Sequence, residues 1–181
     1  MRPMVSLTTS GYTADDLERL RGAFNVPVHV ELDPWGSLLV SPVDDRHEIA
    51  RSALERQANV QLEVAGHQVF PSMPWAVSNG TGYLMIPDLT VLPAGWRRED
   101  ELGFDPPPLL VVEITSRSTR HVDRTRKLAD YRLGRARMYL LLDPPASFEA
   151  HFFSAGEVVT TTGSIELIVG GQPLRFALPP G

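Results

Sequence analysis

The chain of 181 residues contains no cysteine. Disulfides, thiolate metal sites and cysteine nucleophiles are therefore excluded, and any metal chemistry must use oxygen or imidazole donors. Lysine is almost as scarce: sixteen of the seventeen basic residues are arginine, and Lys127 stands alone. Long apolar runs are missing too. The stretch LLVV at 109–112 is far too short to span a bilayer, and the N-terminal MRPMVSLTTSGYTADDLERL lacks a secretory apolar segment, so a cytoplasmic location is expected. No Gly-x-Ser-x-Gly elbow, Gly-Lys-Ser/Thr phosphate loop or His-Glu-x-x-His pair occurs, which leaves little support for the enzyme classes built on them.

What is present fits one globular domain: 43% hydrophobic and 22% charged residues, with prolines and glycines scattered and no repeat or linker tract. Residues 1–181 are read as a single unit, with an N-terminal helical extension (1–27), a core (28–144) and C-terminal strands (145–181). The net charge of −5 argues against a chain that coats nucleic acid indiscriminately. Charge is unevenly spread, however. Eight cations against two acids between residues 117 and 137 make that window +6.

Thr13 and the acids after it, with Gly22 as a stop, predict a short helix over 13–22. VHVEL (28–32) and SLLVS (37–41) around the DPWG turn predict a strand pair. Helical spacing through Ile49, Ala53 and Leu54 predicts a helix over 44–64. Two β-rich runs follow at 82–93 and 106–116, the second apolar enough to be a central strand covered on both faces. Capping residues Ser116, Ser118 and Thr119, apolar Leu128 and Tyr131, and Gly134 predict a helix over 116–134. RMYLLLDP at 137–144 is a further buried strand, and EAHFF, EVVTTT and IELIV supply short antiparallel strands. The order defines a mixed α/β fold.

If 85–92 is a strand, Asp88 shares a face with Ile86 and Thr90, while Glu113 shares one with Val111 and Thr115 in the next. An ionised carboxylate amid buried strands needs a partner or a metal, and two on neighbouring strands repel without a cation between them. Mg²⁺ or Mn²⁺ meets that need. Read singly, Asp88 after Pro87 suits a turn or bulge equally well, and Glu113 suits an ion pair with a core arginine. Asp123, Lys127 and Tyr131 recur at intervals of four on one helix face, a spacing that also fits a simple i, i+4 ion pair on a solvated face.

Together, IPDLTV and PPPLLVVEITSRSTRHVDRTRKLADYRLGRARMYLLLDP resemble the Uma-two family of restriction-endonuclease-like proteins within the PD-(D/E)XK nuclease superfamily. VELDPWGSLLVSPVDDRHEIA extends the likeness upstream, with Glu31, Ser41-Pro42 and His47 at matching places. The resemblance implies a restriction-endonuclease-like core: a mixed central sheet flanked by helices, with extra antiparallel strands. It implies a metal-dependent endonuclease hydrolysing phosphodiester bonds, DNA favoured, with Asp88 and Glu113 holding Mg²⁺ or Mn²⁺ and Lys127 completing the catalytic set. The superfamily lysine usually sits two residues after the glutamate, where this chain has Thr115, so Lys127 must reach in from the helix. SRST in place of Ser-Pro-Ser-Thr puts Arg117 in the loop beside the site, and DPWG replaces a common Asp-Gly turn. His47, Thr115 and Asp123 are accessory candidates, and Arg117, Arg120, Arg124 and Arg126 are the expected phosphate contacts. A homodimer is expected for cutting both strands of a duplex. The rival reading is a catalytically silent nucleic-acid- or partner-binding module on the same fold. A third is purely structural, the two acids neutralising the arginine-rich helix as a salt-bridge network.

Overall fold

In the computed structural model, residues 14–25, 28–32, 38–42, 45–76, 84–97, 106–116, 119–145 and 147–178 are described. Thr13, the DPWG turn, Arg117 and Ser118 fall outside them. Helix α1 (Ala14–Gly22) precedes the antiparallel pair β1 (Val28–Leu32) and β2 (Leu38–Pro42). Helix α2 (Asp45–Leu62) follows, then β3 (Gln68–Pro71), β4 (Trp75–Ala76), β5 (Leu84–Met85), β6 (Leu89–Leu92) and β7 (Leu110–Ile114). The crossover helix α3 is composite. An α-helical turn Arg120–Val122 runs into a π-helical turn Asp123–Lys127 and then an α-helical segment Leu128–Leu133. Strands β8 (Met138–Asp143), β9 (Ser147–Phe152), β10 (Glu157–Thr162), β11 (Ser164–Val169) and β12 (Gln172–Ala177) complete the chain.

The central sheet has six strands in the order β10-β9-β8-β7-β6-β3. Only β7 and β8 are parallel, as expected of two strands joined through a helix, and the other pairings are antiparallel. Every residue of β6 and β7 is buried. On one face Leu89, Val91, Val112 and Leu140 pack against Ala50, Leu54, Ala58 and Leu62 of α2 and against the β11–β12 hairpin. On the other, Val111, Tyr139 and Leu141 pack against Tyr131 and Leu128 of α3. This is a mixed α/β core with helices on both sheet faces and extra antiparallel strands.

Ile49, which marked the helical spacing together with Ala53 and Leu54, is 61% exposed, and the buried stripe of α2 is Ala50, Ala53, Leu54, Ala58 and Leu62. Alanines at three of these positions leave little side chain between helix and sheet. The helix ends through a 3-10 turn (Glu63–Ala65) closed by Gly66 at φ +74, a conformation in which a side chain would be strained. The Gln57 and Gln61 amides exchange paired hydrogen bonds of 2.7–2.9 Å with the backbones of Ala177 and Arg175. They thereby satisfy backbone groups of β12 that a neighbouring strand would otherwise take.

The expected strand over 85–92 is also interrupted. Pro87 carries no N–H to continue a ladder, and Asp88 sits in a bend between β5 and β6. Asp88 therefore does not share a strand face with Ile86 and Thr90. It is presented from the entry to β6. No helix among the described residues is long and apolar enough to cross a membrane.

Candidate active site

The β6–β7 register brings the acids together. Leu89 faces Val112, so the next step places Asp88, in the bend that enters β6, opposite Glu113 on β7. Both side chains are nearly fully buried. Asp88 Oδ2 accepts the Ile114 backbone N–H at 2.7 Å and lies 3.1 Å from His47 Nε2 in the first turn of α2. These two contacts, from different elements, fix the orientation of the Asp88 carboxylate.

The π-helical turn supplies the other side of the site. A π turn carries more residues per turn than an α turn. Here Asp123 and Lys127, at its two ends, both point inward and are buried. Lys127 Nζ stands 3.0 Å from Glu113 Oε1, 3.0 Å from Glu31 Oε1 on β1 and 3.8 Å from Asp123 Oδ1. Tyr131, one turn further along, donates a short hydrogen bond to the same Glu113 oxygen. Glu31 Oε1 in turn accepts the Ile86 N–H.

Three carboxylates thus face one ammonium, Asp88 adds a fourth negative charge nearby, and His47 stands at the rim. Burial raises the Glu113 carboxyl well above the ordinary range despite Lys127, and Asp88, Asp123 and Glu31 push it the same way. Asp123 is raised by burial, only partly offset by Lys127 and the Thr119 hydroxyl. Neither Asp123 carboxylate oxygen has a hydrogen-bond partner of good geometry. For Lys127, burial opposes the charge, but the four acids outweigh it and hold the ammonium well above its ordinary value. His47 is also raised, because contact with Asp88 and the charge of Glu48 exceed the cost of burial. The cluster is short of positive charge and answers by keeping protons.

The cavity among Glu31, His47, Asp88, Glu113, Asp123 and Lys127 has a volume of about 40 Å³. That admits a water or a single ion, each water occupying roughly 30 Å³ in the liquid, and excludes a nucleotide. A larger apolar groove of about 630 Å³ between α3 and the β9–β10 edge contains none of the buried acids. Hard oxygen donors and a deficit of positive charge fit Mg²⁺ or Mn²⁺. Among the described residues, no three His, Asp or Glu side chains stand as a ready ligand set.

Of the other expected residues, Thr115, Arg120, Arg124 and Arg126 lie outside the cavity. Thr115 Oγ1 donates to Asp143 at 3.1 Å. Arg120 and Arg124 bond Asp143 at 2.6 and 3.3 Å, Arg124 also reaches Glu149, and Arg126 faces Asp130 at 3.8 Å. The arginines thus meet acids at the end of β8, in β9 and on α3 itself, while Glu113 pairs with lysine. Glu31 and Tyr131 are the additions that the sequence did not assign. Glu31 had a matching place in the family pattern, and Tyr131 shared a helix face with Lys127.

The mixed central sheet flanked by helices, with its extra antiparallel strands, is a restriction-endonuclease-like core, and the comparisons with known proteins support a nuclease-like protein. The family model described as "Putative restriction endonuclease", Uma2, matches residues 14–162, and the chain belongs to that family. In three dimensions it is similar to a crystal structure from Anabaena variabilis ATCC 29413, described as a "putative nuclease belonging to DUF820". The two are 16% identical with a TM-score of 0.60, over 74% of this chain and 76% of that one. No curated protein matches the chain.

Proposed function

We propose that the protein is a metal-dependent endonuclease that hydrolyses phosphodiester bonds of nucleic acid, DNA foremost. The observation that carries this reading is the meeting of Asp88, Glu113 and Lys127, from three separate elements, around one small cavity. Asp88 and Glu113 would hold Mg²⁺ or Mn²⁺, with a neighbouring backbone carbonyl and water completing the shell. Such an ion polarises the phosphoryl oxygen and makes water a stronger nucleophile.

The chain's own groups then have distinct tasks. His47 and the Ile114 N–H hold Asp88 in one orientation. Lys127 stays protonated at neutral pH, so it orients the attacking water by donating hydrogen bonds and offsets charge on the pentavalent phosphorus; it is not the base. Because the cavity is too small for a nucleotide, the scissile phosphate must lie across its mouth. Arg120, Arg124 and Arg126 would hold flanking phosphates once drawn from their acid partners, with a second copy placing another site on the opposite strand.

A catalytically silent binding module is favoured by one observation: Glu113 Oε1 is already engaged by Lys127 and Tyr131. Incubating the protein with supercoiled, linear and single-stranded DNA and with RNA, in Mg²⁺, Mn²⁺ or EDTA, separates the two. Cleavage that requires the metal and vanishes in Glu113→Gln and Lys127→Ala is expected. Binding without cleavage of any substrate would favour the silent module.

A further inference from the structure

The π turn that aims Asp123 and Lys127 is held from outside the helix. Tyr139, on β8, donates its buried hydroxyl to the Asp123 backbone carbonyl at 3.1 Å. In a continuous α-helix that carbonyl would belong to the i→i+4 ladder, but the wider π pairing reorganises the ladder at this turn. Tyr139 neighbours Val111 in the parallel β7–β8 register, two residues before Glu113. Its ring packs on that of Tyr131, with centroids 5.1 Å apart, and the two hydroxyls diverge. The Tyr131 hydroxyl takes the Glu113 carboxylate, and that of Tyr139 takes the Asp123 carbonyl. One mechanical circuit therefore runs from Glu113 through Lys127 and the π turn to Tyr139, and back across the sheet to β7.

We propose that Tyr139 is a positioning residue, whose hydroxyl keeps the turn over Asp123–Lys127 in the open form that directs both side chains into the acid cavity. Without it, the Asp123 carbonyl returns to helical donors, the turn tightens, and Lys127 rotates away from Glu113. The kinetic consequence rests on the nuclease reading given above. The structural consequence does not.

The test is Tyr139→Phe, which keeps the ring and removes only the hydroxyl, with Tyr131→Phe as the companion that leaves the carbonyl contact intact. Hydrogen exchange at the amides of residues 123–128 is expected to quicken by about tenfold in Tyr139→Phe, the scale of one lost hydrogen bond. It should be unchanged there in Tyr131→Phe, with the β7 and β8 amides unaltered in both. In the crystal structure of Tyr139→Phe, Lys127 Nζ should move beyond contact with Glu113. For cleavage, kcat should fall by about ten- to a hundredfold with KM constant, the usual cost of a misplaced group. Unchanged exchange, or Lys127 still 3.0 Å from Glu113, would overturn the proposal whether or not the protein cleaves nucleic acid. Faster exchange with kcat preserved would overturn it as well. A wild-type protein that cuts nothing bears on the nuclease reading alone, since exchange and the crystal structure still decide the role of Tyr139.

Discussion

Replacing Lys127 with methionine keeps most of the side-chain volume and removes the ammonium that faces Glu31, Glu113 and Asp123. The side chains concerned are between 2% and 12% exposed, so water screens the loss little. Breaking one partner out of a buried ion pair costs about 3–5 kcal/mol. For a chain of this size each kcal/mol moves the midpoint by about 2–4 °C, which gives a fall of about 6–20 °C at neutral pH. The deficit should narrow as the solution is acidified, because Glu113 and Asp123, already raised, take up protons and shed the repulsion. Thermal unfolding of both proteins followed by circular dichroism across pH 5–8 reads this directly. A deficit below about 1 kcal/mol at neutral pH, or one that widens on acidification, would refute the picture of four acids leaning on one lysine.

Other outcomes follow from the same geometry. His47 has a raised pKa, so its stabilising contribution is complete below its ordinary value of 6.5 and is lost as pH rises through the folded value. Unfolding midpoints of wild type and His47→Gln should therefore converge with increasing pH, and a gap that grows would contradict the assignment. A Cβ at Gly170, at φ +58, would lie 2.5 Å from His67 Nε2 and 2.8 Å from Leu109 Cδ1. Gly170→Ala should cost about 1–3 kcal/mol in urea unfolding, and neutrality would mean the turn relaxes freely. Arg120→Ala with Arg124→Ala should change stability by less than about 1 kcal/mol, because these pairs are partly exposed. The double variant should flatten the log–log salt dependence of DNA binding by about two, and an unaltered slope would remove these arginines from the interface.

Much of the scaffold was legible because its signals are local. The apolar run ending in Glu113, the capped segment before Lys127 and the Tyr-containing strand before Asp143 each announce an element over a few residues. The short strands β3, β4 and β12 escaped. Pro71, the two-residue length of β4 and Pro173 dilute the period-two pattern, and pairing partners decide such segments more than propensity does. Ile49 marked the helical spacing together with Ala53 and Leu54, but the sheet selected the neighbouring alanine stripe and left Ile49 exposed.

At the site, the acids and the lysine were visible as residue types out of place in their surroundings. Glu31 was invisible as a functional group, since VHVEL is an ordinary alternating strand and the meeting with Lys127 spans 96 positions. The π turn was equally hidden. Spacing of four correctly grouped Asp123, Lys127 and Tyr131, but it could not distinguish a solvated ion pair from a buried one. That distinction rests on the sheet beneath the helix.

Calorimetric titration of Mn²⁺ into the purified protein tests most directly the proposed divalent-cation site at Asp88 and Glu113. One ion bound per chain, with binding lost in both Asp88→Asn and Glu113→Gln, is the predicted result. No binding to the wild type, or binding that survives both substitutions, would contradict it.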